Sequence, residues 1–216
     1  MKRLRKLYQD ESGGMSLLMM AVVFFGILMF VLLLNFIKVF AVDNQANTAA
    51  QQGSLAATGV VYKQAMNVIE RYSYPCGDDI CFLIDDYHKE KRALSGESLS
   101  ENEKHRKAID KTLLNRMSRD ATLKRQIRLA MQRATAEIPG VVKNVIRKNN
   151  AKVSDTKIKI FNNKNRIEVI TSAEFESSEV PGFMRKMKED LPQIGMGVEV
   201  PFIQVLNWPS RTLQLR

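Results

Sequence analysis

The chain has 216 residues, room for one membrane segment plus one modest globular domain and no more. Its apolar fraction of 45% is ordinary, but the apolar residues are not evenly spread. The formal net charge is +10; beyond residue 40 the chain keeps 28 basic and 21 acidic residues, a net +7.

Residues 1–14 form a basic leader, with Lys2, Arg3, Arg5 and Lys6 close to its start. Residues 15–37 then run without a charge, and only Ser16 and Asn35 are strongly polar. As a helix these 23 residues reach roughly 35 Å, enough for a hydrocarbon core of about 30 Å with some tilt. The basic leader lies on one side and a lone Lys38 on the other, so the positive-inside bias predicts a cytoplasmic N-terminus and an exported remainder. The predicted location is the cell membrane, single-pass, with the C-terminal part extracellular. A cleaved signal peptide, cut after Val39-Phe40-Ala41, is the rival reading. Its apolar region would far exceed the usual seven to fifteen or so residues, which favours an uncleaved anchor.

The helix is predicted to continue outward over residues 38–74. No proline occurs from Val42 to Tyr72, and Ala46, Ala49, Gly53, Ala56, Ala57 and Val60 recur at helical spacing. So small-sided a stripe lets another helix approach closely; equally, alanine is simply a good helix former. Residues 75–216 read as the exported domain. Tyr74-Pro75 ends the helix, and the stretch to about Ser98 reads as irregular. Within it Cys76 and Cys81 flank a Pro/Gly turn, a spacing that suits a small disulfide loop in an oxidising compartment, with two free thiols as the alternative. Asp78, Asp79, Asp85 and Asp86 lack the alternation of an EF-hand loop and read as a solvated acidic turn. No metal or cofactor is expected.

Ser100-Glu101-Asn102-Glu103 carries a capping-box signature for a new helix. Ile109, Leu113/Leu114 and Met117, then Leu123, Ile127, Ala130/Met131, Ala134 and Ile138, repeat at helical spacing and read as core against a sheet. Pro139-Gly140 is expected to interrupt, with Val141/Val142, Val145 and Ile146 continuing a shorter helix to Asn149. The last third changes period. Lys157-Ile158-Lys159-Ile160 alternates, as does Ile167-Glu168-Val169 with Thr171, Ala173 and Phe175, and Asn162-Asn163-Lys164-Asn165 makes a hairpin turn between them. Met196, Val198, Val200 and Phe202 alternate again, and Pro201 places that third strand at an edge or bend. Residues 181–188 read as a loop or short amphipathic helix. The fold class is therefore α+β: a long N-terminal transmembrane helix continuing outward, then helices packed on a small antiparallel sheet.

Basic density peaks along Lys104-His105-Arg106-Lys107 and from Arg116 to Arg133. Arg125, Arg128 and Arg133 could meet an anionic lipid, wall polymer or other ligand, or form a solvated helix face. No aromatics interleave with the run, which argues against nucleic acid. There is no Gly-x-Ser-x-Gly elbow, no phosphate-binding glycine loop and no His-Glu-x-x-His. Nothing points to an enzyme.

The first 65 residues resemble the N-terminal module of the TadE/TadG-like family, minor pilin-like proteins of Tad (Flp) pilus systems. The matching parts are the basic leader, Asp10-Glu11-Ser12-Gly13-Gly14 before the span, and the run from Phe36-Ile37-Lys38 through Ala46-Asn47-Thr48-Ala49-Ala50 to Ala56-Ala57-Thr58-Gly59 beyond it. The resemblance implies cleavage by prepilin peptidase between Gly14 and Met15. Pilin-type proteins commonly carry a glutamate five residues into the mature chain; here that residue is Met19. The implied role is assembly of a Tad- or type IV-like pilus or secretion apparatus. Its partners would be membrane lipid and other pilin-like or assembly proteins, in homo- or hetero-oligomers built through the N-terminal helix. The second expectation is an uncleaved tethered binding module whose basic face takes an anionic ligand.

Overall fold

The computed structural model describes residues 11–173 and 192–215. Phe175, the segment 181–188 and most of the basic leader lie outside the described residues. Helix α1 runs unbroken from Glu11–Ile69, 59 residues, and two compact units divide within it, Met1–Val42 and Asp43–Arg216. In the first unit nearly every large apolar side chain from Met15 to Phe40 is exposed, at 44% to 74%. A helix apolar on all faces and buried on none has no stable surface to show water. This one is long and apolar enough to cross a membrane.

The second unit is an α+β head with α1 as its spine. After α1 come a short hairpin, β1 (Ser73–Cys76) and β2 (Asp79–Phe82), and helices α2 (Leu83–Ala93), α3 (Glu101–Met117) and α4 (Ala121–Lys148). Strands β3 (Lys152–Ile160), β4 (Glu168–Ser172) and β5 (Gln193–Met196), the single turn α5 (Ile203–Leu206) and strand β6 (Arg211–Gln214) complete it. The larger sheet is antiparallel throughout, in the order β5-β4-β3-β6. Its buried side carries Ile158, Ile160 and Val169, and α4 packs against it through Ile127, Met131, Ile138, Val142 and Ile146, all essentially inaccessible.

Local chemistry explains most boundaries. Ser100 caps α3: its hydroxyl accepts the Glu103 N–H while the Glu103 carboxylate accepts from the Ser100 N–H. Asp120 caps α4 by accepting from the N–H groups of Thr122 and Leu123, each at 3.0 Å. Asn162 shapes the β3–β4 turn as expected, its side-chain oxygen accepting from the N–H groups of Lys164 and Arg166, with Asn165 in the left-handed region at φ 53°.

Four expectations are corrected. The segment before Ser98 is not irregular but holds the β1–β2 hairpin and α2. Leu83, Tyr87 and Leu94 anchor it in the core. Helix α4 continues through Pro139, because Ile138 and Val142 on either side are both fully buried on one face. That burial outweighs the roughly 3 kcal/mol an internal proline costs. The third strand lies earlier than the Met196–Phe202 alternation placed it, at Gln193–Met196. It is an edge strand, and Pro201 sits in the turn entering α5. The other edge, β6, pairs with β3 and was not foreseen.

Candidate interaction surfaces

The small-sided stripe of α1 is the first candidate, and the head itself occupies it. Ala46, Ala49, Ala50, Gly53, Ser54, Ala57, Thr58 and Val60 are all buried, and Ala56 is half-buried. A Cβ added at Gly53 would meet Val169, Ile146 and Val142 at 3.4 to 3.5 Å, so β4 and α4 already close on that position. Strand β5 comes closer still. A Cβ at Gly195 would land on the backbone of Ala50 and Gln51, and one at Gly197 on Thr58 Oγ1. The two glycines let a strand backbone lie directly on the helix. The stripe is thus a packing surface within this chain, and a partner helix has no room at Ala49 or Gly53.

Four tyrosines pin the helical side of the head. The hydroxyl of Tyr72 donates to Asp120 at 2.7 Å, and that of Tyr74 donates to Asp86 at 2.6 Å. Tyr87 meets Nδ1 of His105 at 2.6 Å. Burial, reinforced by Lys91, holds the His105 imidazole below its usual range. Tyr62 on α1 sits 3.0 and 3.1 Å from the two carboxylate oxygens of Asp110 on α3, and 3.2 Å from the carbonyl oxygen of Glu199. One phenolic proton cannot serve both partners. The hydroxyl therefore donates to the Asp110 carboxylate or to the Glu199 carbonyl, one at a time. Burial pushes the Asp110 carboxyl up to about 7, against the opposing pull of Tyr62 and Arg106. The same burial, with Asp110 beside it, raises the Tyr62 phenol.

Cys76 and Cys81 form a disulfide that closes the β1–β2 hairpin, with Gly77 at its turn at φ 74°. Beside the hairpin the guanidinium of Arg116 lies over the Tyr74 ring, 3.3 Å from its centroid. A cleft of about 650 Å³ opens there, lined by Arg71, Arg116 and Arg119 together with Ser73 and Pro75.

The arginines read from sequence do not share one cleft. Arg128 donates from Nη2 to the carbonyl of Leu206 at 2.9 Å and lines a cleft with Trp208, while Arg125 and Arg133 are simply exposed on α4. Asp78 and Asp79 are exposed at the hairpin turn, and Asp86 accepts from Tyr74; among the described residues no acidic, histidine or cysteine group could hold a metal. Gly14 and Met15 both lie within α1, and Met19 is exposed. The Arg71–Arg116–Arg119 group escaped sequence reading because its members come from the turn after α1 and from the α3–α4 corner, 45 or more residues apart. Comparison with protein-family models, curated proteins and solved structures finds no match.

Proposed function

We propose that this chain is a membrane-anchored, pilin-like protein that helps assemble a Tad- or type IV-like pilus or secretion apparatus. The span over residues 15–37 would sit in the cell membrane with the N-terminus cytoplasmic and the head outside. One observation carries the reading: a single helix is apolar on all faces in its first half and is the spine of an α+β head in its second. The disulfide agrees with an exported head. No catalytic constellation enters the proposal; the protein would work by anchoring, packing and display.

The test is the intact mass and N-terminal sequence of the protein recovered from membranes. A chain beginning at Met15, methylated or not, would make it a processed filament subunit. A chain beginning at Met1 would make it an uncut assembly factor, in keeping with Met19, which cannot neutralise a buried ammonium group. A chain beginning at Val42 would overturn the anchor and with it the proposal.

The tethered binding module is the second reading, favoured by the exposure of Arg125 and Arg133. Charge reversal at these two positions, leaving Arg128 to hold Leu206, would abolish function while assembly survives. Unchanged function would remove the reading.

A further inference from the structure

The stapled hairpin has one face with no partner. The pairing Ser73↔Phe82 and Pro75↔Ile80 puts these four side chains together, while Tyr74, Cys76, Asp79 and Cys81 occupy the opposite face. Ile80 is 70% exposed and Phe82 52%, on a backbone fixed by the disulfide. Rigid, exposed apolar side chains side by side mark a contact surface.

That face runs into the arginine cleft, which shares Ser73 and Pro75 with it. The guanidinium groups of Arg71 and Arg119 make no hydrogen bond or ion pair among the described residues, and both residues are exposed. Arg116 is held by the Tyr74 ring, with its Nε buried and lacking a hydrogen-bond partner, 3.8 Å from Asp120. The carboxylate of Asp120 is already engaged by Tyr72 and two backbone N–H groups. Asp120, which also lines the cleft, offsets one of the three charges, so the cleft keeps a net positive charge, from Arg71 and Arg119, beside an apolar face. The hairpin also follows the C-terminal end of α1, and the 27 helical residues from Asp43 to Ile69 put about 40 Å between that end and the start of the head.

We propose that this far end of the head docks on an anionic phospholipid surface. Arg71, Arg116 and Arg119 take headgroup phosphates, and Pro75, Ile80 and Phe82 enter the acyl boundary beside them. Charge complementarity selects the occupant: a neutral apolar partner would leave Arg71 and Arg119 facing it without counter-charge, and a purely acidic one would leave Ile80 and Phe82 in water. The inference goes beyond the assembly role and stands whether or not the chain belongs to a pilus.

The test uses the full chain in nanodiscs of phosphatidylcholine, mixed with vesicles of phosphatidylglycerol or of phosphatidylcholine and separated by flotation. The nanodiscs are expected to float with the anionic vesicles only, and less so at high salt. Each arginine near the surface accounts for roughly fivefold in binding. The pair Arg71→Glu/Arg119→Glu should lose at least twentyfold and Ile80→Ser/Phe82→Ser about tenfold, with the disulfide and the circular dichroism spectrum unchanged. The basic leader is common to all variants, so its contribution cancels in the comparison, and binding as strong in both pairs as in wild type would overturn the proposal. Equal flotation with neutral vesicles would overturn it, as would binding of inorganic phosphate without vesicle capture, which would give the cleft to a soluble oxyanion.

Discussion

Replacing Gly195 by alanine tests how the head is built on its helix. The added Cβ would coincide with the carbonyl carbon and oxygen of Ala50 and crowd the nitrogen of Gln51. These are backbone atoms of α1, inside a hydrogen-bonded helix whose local side chains Ala49, Ala50 and Ser54 are wholly buried. No flexible side-chain end can move aside, so β5 must lift from the helix by more than an ångström. Gly197, also seated on α1, would be drawn with it. Overpacking at a yielding site costs about 1–3 kcal/mol; against backbone on both sides, at least about 3 kcal/mol is expected. For a unit of this size that is a fall in Tm of roughly 6–12 °C. The assay is thermal unfolding of the full chain in detergent, followed by near-ultraviolet circular dichroism. Gly59→Ala is the control: its Cβ would meet open space, so the better helix former should stabilise by up to about 1 kcal/mol. A Gly195→Ala protein melting within 2 °C or so of wild type would refute the direct strand-on-helix contact.

Asp110→Asn should flatten the pH dependence of stability. With its folded pKa raised to about 7, Asp110 keeps a proton that the unfolded chain loses near pH 4. Wild-type stability from this group is therefore full in acid and lost as pH rises to 7, on the order of 4 kcal/mol. Urea titrations at pH 5 and pH 8 should differ in the wild type and converge in the variant; an unaltered difference would reassign the titration. Reduction of Cys76–Cys81 should lower stability by about 2 kcal/mol, the chain-entropy value for so short a loop, measured by denaturation with and without reductant. Ser100→Ala removes the capping-box hydroxyl and should cost about 1 kcal/mol in the same assay.

What the sequence made legible was what local rules determine. The long apolar helix, the Ser100–Glu103 cap, the buried face of α4 and the Asn162–Asn165 turn all follow from neighbours within a few residues. The third strand was misplaced for a tertiary reason. Met196 and Val198 looked like an inward face, whereas the inward residues are Gly195 and Gly197, which no hydrophobic pattern can mark. Helix α2 was obscured by Asp85 and Asp86, which suggested a solvated turn but stand in the first turn of a helix, where they suit its dipole. Strand β6 is only four residues long, and it takes its place from pairing with β3. The tyrosine pairings and the arginine cleft join elements remote in sequence and had no local signal.

Burial of the small-sided stripe moves the place where a helix-built assembly would form. Ala49 and Gly53 face the chain's own sheet, so enlarging them tests folding, not association. The apolar first half of α1 leaves most of its large side chains exposed, and at Gly26 an added Cβ would meet nothing within 4 Å. In lipid, close approach at small residues is a principal source of helix association, typically about 1–2 kcal/mol where polar groups assist. Under the proposed assembly role, Gly26→Leu should weaken association of the full chain in membranes while leaving the melting of the head unchanged. Ala49→Leu should do the reverse, lowering the Tm of the head through overpacking against α4 and the sheet. Cross-linking in membranes beside thermal unfolding reads both. If Gly26→Leu leaves cross-linking intact, the contact lies outside that face of the helix; if Ala49→Leu abolishes cross-linking with the head still folded, the stripe is open to partners and not closed by the sheet.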